Sequence, residues 1–96
     1  MNKPLTIDPE VLKRLQDLSR AERIACLEAL WQLCQTFGRP HVHSGISIRK
    51  LGSKLFECRA NLALRLIFQD RPGELYVSFL GNHDEVQALL HRGKYS

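Results

Sequence analysis

Leu55-Phe56-Glu57-Cys58-Arg59-Ala60-Asn61-Leu62-Ala63-Leu64-Arg65-Leu66-Ile67-Phe68-Gln69 decides the fold, because it reads as two strands folded back on each other. Residues 55–60 and 64–69 are rich in Leu, Phe and Ile, and Asn61-Leu62-Ala63 supplies the turn. A turn centred on Leu62 sets Arg59 opposite Arg65 and Glu57 opposite Ile67. Side chains alternate along a strand, so Phe56, Cys58, Ala60, Leu64, Leu66 and Phe68 share one face, the core side. Glu57, Arg59 and Arg65 share the other.

Like charges directly across a ladder are mildly destabilising, and an anionic ligand is the natural reason to keep two. Guanidinium groups grip phosphate through paired hydrogen bonds and stay charged at neutral pH. Two of them on one phosphodiester could stabilise charge that builds up in a transition state. The alternative is a surface ion-pair cluster in which Glu57 bridges both arginines.

Outward from the hairpin, the basic character persists. Between Arg39 and Arg65 stand Arg39, Arg49, Lys50, Lys54, Arg59 and Arg65 against Glu57 alone, six positive charges to one negative. The whole chain carries +4, so the remainder is slightly acidic and the positive charge is concentrated here. That pattern suits a phosphate-binding surface, or else the solvated face of a small basic protein.

Before the hairpin, Ile46 and Ile48 alternate in a short strand that ends at Leu51-Gly52; after it, residues 75–80 form another, beyond an Asp70-Arg71-Pro72-Gly73 turn. Two helices precede the strands. Asp8-Pro9-Glu10 starts the first, with Val11, Leu12, Leu15 and Leu18 at helical spacing. Ser19-x-x-Glu22 opens the second as a capping box, and Gly38 with Pro40 stops it. Its apolar stripe reads Ile24, Leu27, Leu30, Trp31, Cys34 and Phe37, with Trp31 expected as a core anchor. A short last helix follows Asn82, with Val86, Leu89 and Leu90 on its apolar side. The expected class is α+β: an N-terminal helical hairpin, a four-stranded antiparallel sheet and a short C-terminal helix, with the helices packed on one sheet face. Leu5 to Ile7 would add a fifth, edge strand.

Gly81-Asn82-His83-Asp84-Glu85 marks the passage from last strand to last helix. Histidine there suits proton transfer, for example to a departing 5′-oxygen. Capping the helix or pairing with Asp84 is the plainer role.

Length and composition bound the remaining classes. With 96 residues, 44% hydrophobic and 25% charged, the chain is expected to form one globular domain over 1–96 and falls outside the disordered class. Neither a signal peptide nor a membrane span is legible, so a cytoplasmic location without membrane association is expected. Cys26, Cys34 and Cys58 are odd in number and include no C-x-x-C pair, as expected of reduced core thiols. Cys34 with His41-x-His43 could ligate zinc, but a fourth ligand and the usual spacing are missing.

Taken in order, Lys50-Leu51, Glu57-Cys58-Arg59, Arg65-Leu66-Ile67-Phe68 and Gly81-Asn82-His83 resemble the motif series of the RelE/ParE toxin superfamily. The series spans residues 48–90, nearly half the chain, and the helical hairpin ahead of the sheet fits the same layout. It departs from the family at Leu64, where many members carry an aromatic residue. The resemblance implies a RelE-like toxin domain of a type II toxin–antitoxin pair, cutting mRNA on the ribosome without a metal or other cofactor. The nucleophile would be the RNA's own 2′-hydroxyl. Arg59 and Arg65 would hold the scissile phosphate, and His83 would be the general acid. Glu57, Lys50 or Lys54 would help remove the 2′-proton, while Arg49 and Tyr95 would contact RNA. Implied partners are a cognate antitoxin, mRNA and the ribosome, with another copy as an alternative cover for an exposed sheet edge. ParE-like members share the fold but inhibit gyrase, and a catalytically silent binding relative would share it too.

Overall fold

The computed structural model describes residues 3–37 and 47–92. In chain order the elements are β1 (Leu5–Ile7), α1 (Pro9–Asp17), α2 (Arg20–Thr36), β2 (Arg49–Lys50), β3 (Leu55–Arg59), β4 (Leu64–Arg71), β5 (Glu74–Asn82) and α3 (His83–His91). The strands make one five-stranded sheet in the order β1-β5-β4-β3-β2. The edge strand at Leu5 to Ile7 therefore exists, but it runs parallel to β5, so the sheet is mixed rather than antiparallel throughout. Ile46 and the His41-x-His43 zinc reading lie outside the described residues. Among those described, no group of His, Cys, Asp and Glu is arranged to hold a metal ion.

The helix starts follow the sequence signals. Asp8 accepts from the Glu10 amide at 2.9 Å with Oδ1 and from the Tyr76 hydroxyl with Oδ2, which fastens the start of α1 to β5. Ser19 and Glu22 close a reciprocal capping box at the head of α2. Arg23 then reaches back over the end of α1, donating to Leu15 O at 3.0 Å, Leu18 O at 2.9 Å and Gln16 O at 3.2 Å. A cation on those orphan carbonyls both satisfies them and opposes the helix dipole, so it fixes the hairpin.

Between β3 and β4 the register has Arg59 opposite Arg65 and Glu57 opposite Ile67, as the turn at Leu62 requires. Asn61 Oδ1 accepts from the amides of Ala63 (2.8 Å) and Leu64 (2.7 Å), which holds that turn. β4 and β5 join through Pro72-Gly73, where Gly73 at φ 80° takes the left-handed position that a side chain would resist.

One core lies under α1 and α2, built from Val11, Leu15, Cys26, Leu30 and Leu33 against Cys58, Leu64, Leu66, Phe68, Leu75, Val77 and Leu80. Phe37 meets Phe56 and Phe68 edge-on at 5.1 and 5.3 Å, pinning the end of α2 to the sheet. A second, smaller core lies on the opposite face, where Val86 and Leu89 of α3 cover Leu55 and Ile67. The helices thus cover both faces, not one. The unbroken run Leu64 to Phe68, apart from Arg65, already carries this information, since a strand apolar on both sides is covered on both sides.

A second expectation fails on α2. Its buried residues are Cys26, Ala29, Leu30 and Leu33, while Ile24, Leu27 and Trp31 face outward. Trp31 is 66% exposed and anchors nothing in this chain's core.

Within β5 the pairing slips between Ile67/Phe79 and Phe68/Val77, so Ser78 is an extra residue, a β-bulge. Before it, Leu75 and Val77 point to the larger core; beyond it, Leu80 does, and Phe79 turns to α3.

Candidate active site

Glu57, Arg59 and Arg65 project from the face that α3 covers only in part. Together with Ser47, Ile48, Arg49 and His83 they line an open cavity of about 460 Å³. Arg49 comes from β2, directly opposite Glu57 on β3. His83 is the first residue of α3, whose N-cap is Asn82. Asn82 and Glu85 form a reciprocal capping box with both hydrogen bonds at 2.8 Å. Glu85 also accepts from Arg14 of α1 at 2.7 Å, round the edge of β5. The Arg14 guanidinium, with the Asn82 amide, holds the Glu85 carboxyl below its ordinary value. The helix start that carries His83 is therefore held from two directions.

Gly81 makes this close approach feasible. It pairs with Arg65, and a Cβ there would stand 2.8 Å from Phe79 Cε2 and 3.1 Å from Glu85 Cβ. Such contacts would push α3 off the sheet.

Glu57 is the unusual group, a carboxylate only 6% exposed. Arg49 Nη2 meets its Oε2 at 3.1 Å, and Arg65 Nε stands 3.9 Å from Oε1. The second distance balances charge but is too long for a hydrogen bond, and buried Oε1 has no hydrogen-bond partner among the described residues. A buried acceptor without a hydrogen bond is costly. The alternative in which Glu57 bridges Arg59 and Arg65 is not formed: the carboxylate serves Arg49 and Arg65, and Arg59 has no ion pair among the described residues.

The two facing arginines also differ in setting. The Arg65 side chain is 14% exposed and its Nη1 donates to Asn61 O and Leu62 O, both at 3.4 Å. Arg59 is exposed. Cys58, behind them in the larger core, is no rival nucleophile. Burial first, then the nearby Glu57 charge, pushes its thiol up to about 12.

Of the residues proposed from sequence, the cavity unites Arg49, Glu57, Arg59, Arg65 and His83. Lys50 and Lys54 do not line it; Lys50 pairs with Phe56, whose side chain belongs to the opposite face. Neither lysine is thus placed to take a proton there. Tyr95 lies outside the described residues. Sequence reasoning missed Arg49 as the partner of Glu57, because a two-residue strand gives no register of its own. It also missed Arg14 and Gly81, although the glycine before a helix cap was a visible signal.

Chemically, the arrangement offers three guanidinium groups for an anion, one carboxylate and one imidazole, all on a single cavity.

No protein-family model matches the chain, and no curated protein matches it by sequence. Solved structures do. A chain of an archaeal RelE–RelB complex from Pyrococcus horikoshii OT3 superposes with a TM-score of 0.68 at 23% identity, over 85% of this chain and 96% of that one. A chain of the heterotetrameric YoeB–YefM toxin–antitoxin complex from Staphylococcus aureus gives 0.64 at 17% identity, over 86% and 99%. The isolated RelE toxin of E. coli gives 0.63 at 15% identity, over 93% and 97%. With two helices ahead of the main strands of a five-stranded mixed sheet and a third helix behind them, this chain has the RelE-like fold.

Proposed function

We propose that this protein is the toxin of a type II toxin–antitoxin pair, an endoribonuclease that cuts mRNA on the ribosome and halts translation. The observation that carries the reading is that one cavity is lined by Glu57, Arg59, Arg65 and His83, with the Glu57 carboxylate held by Arg49 at 3.1 Å. A ribose 2′-hydroxyl is a donor of the right kind for that carboxylate.

In this mechanism Glu57 takes the 2′-proton and the freed oxygen attacks the adjacent phosphorus. Arg59 and Arg65 stabilise the negative charge that gathers on the phosphoryl oxygens. His83 gives a proton to the departing 5′-oxygen, so the P–O5′ bond breaks as the O2′–P bond forms. The products are a 2′,3′-cyclic phosphate and a 5′-hydroxyl end. Because the substrate brings its own nucleophile, no metal or cofactor enters the scheme. Arg49 orients the Glu57 carboxylate and offers its exposed side to the RNA backbone. A cognate antitoxin is the proposed partner, as RelB and YefM are for the toxins they accompany.

The test is induction in a bacterial host without antitoxin, wild type beside Arg59→Ala, with primer extension on a reporter mRNA. Growth arrest with new cuts inside translated codons, absent in the variant, is the expected result. Arrest with intact mRNA would shift the activity to a gyrase-type target, and no arrest would leave only a binding protein.

A further inference from the structure

The outer crest of α2 carries a second apolar stripe that no part of the described fold covers. Ile24, Leu27 and Trp31 stand 45%, 51% and 66% exposed, on the side of the helix turned away from its buried face. Single exposed apolar residues are ordinary, but three large ones in a line are not. Their spacing of three and then four residues is that of a seam made to receive one further helix. Between them lies a shallow cavity of about 430 Å³, completed by Glu28 and Gln32.

Two charges frame the stripe. Arg20 precedes Ile24 by one turn, and Glu28 follows Leu27; both are exposed and neither has an ion pair among the described residues. We infer that this face is a self-association surface, which seats the α2 of a second copy of this chain in antiparallel orientation.

The stripe is complementary to itself in that orientation. When Ile24 lies over Leu27 of the second copy, Arg20 falls against the Trp31 ring of that copy, and two-fold symmetry repeats both contacts. A guanidinium over an indole face is a favourable cation–π pair. Glu28 of the second copy then lies one turn from the same ring, within reach of the same arginine. A parallel pairing would instead set Arg20 beside Arg20 and Glu28 beside Glu28, which opposes it. None of the stripe residues lines the arginine cavity, so pairing leaves that cavity open. One helix pair buries less than a standard interface, so the dimer forms reversibly with concentration.

The chain has a single tryptophan, which makes its emission a reporter of this surface alone. For the purified full chain, sedimentation over a dilution series should show the mass rising from one chain to two. Trp31 emission should move to shorter wavelength over the same range. Leu27→Asp should keep the circular dichroism of the wild type, hold the mass at one chain and leave the emission at the solvent-exposed wavelength. Arg20→Glu should weaken association without abolishing the fold. The inference is overturned by a mass fixed at one chain, by a dimer that Leu27→Asp leaves intact, or by an emission shift that needs a different protein.

Discussion

Arg59 and Arg65 share one rung of the ladder, yet they have different duties. Arg65 braces the hairpin turn through Asn61 O and Leu62 O and leans toward Glu57, whereas Arg59 has neither tie. Arg59→Ala should therefore leave the thermal transition within about 0.5 kcal/mol of wild type. Cleavage should fall roughly 100-fold or more in single-turnover assays, the cost of losing one transition-state donor. Arg65→Ala should lose cleavage and also melt earlier, so it is the less clean probe of chemistry. The thiols give a second test at this scale. Burial pushes Cys26 up to about 11 and Cys58 up to about 12, and both side chains are inaccessible. Alkylation of the native protein near neutral pH, followed by mass spectrometry, should modify the half-buried Cys34 first. Cys26 and Cys58 should react only after unfolding.

Elements show where the sequence could be read and where it could not. The hairpin from Leu55 to Gln69 was legible to the residue because a short turn and strict alternation leave a single register. The inner site residues Glu57, Arg59 and Arg65 came with it. The second helix misled because it is apolar on two sides. Ile24, Leu27 and Trp31 repeat at the same helical period as Cys26, Ala29, Leu30 and Leu33, and a period does not say which stripe meets the core. β1 is three residues long, too short for composition to reveal its direction. The third helix was recognised but placed with the others, since its tie to Arg14 joins residues 71 positions apart. Its start is nonetheless testable. Asn82→Ala removes the cap and should cost about 1 kcal/mol by thermal melt, while cleavage falls further than stability because His83 shifts with the turn. Glu85 adds a pH arm to this. Its folded pKa is lowered, so its contribution is present above the ordinary value of 4.5 and is lost as pH falls through the lower, folded value. Acid melts of wild type and Glu85→Gln should differ near neutral pH and converge in that acidic window. The gap should be at most about 1 kcal/mol for so exposed a pair.

For the molecule as a whole, the central strand β4 joins two unequal cores and carries the stability of both. Leu66 faces the larger one and is fully buried. Leu66→Ala should cost about 2–5 kcal/mol in denaturant melts, a large share of what a small domain possesses. If the variant proves as stable as wild type, the face assignment of the sheet is wrong. The β-bulge of β5 bears on how such a chain can vary. Ser78 switches the phase of the strand, which lets Leu75 and Val77 share a core with Leu80 while Phe79 and Gly81 turn toward α3. A one-residue deletion here would reverse every side chain on one arm, sending apolar groups into solvent or against the wrong helix. β5 can therefore gain or lose length only in pairs, and with the two-residue Pro72-Gly73 turn before it and α3 directly behind it, descendants of this chain should keep the count of this one strand.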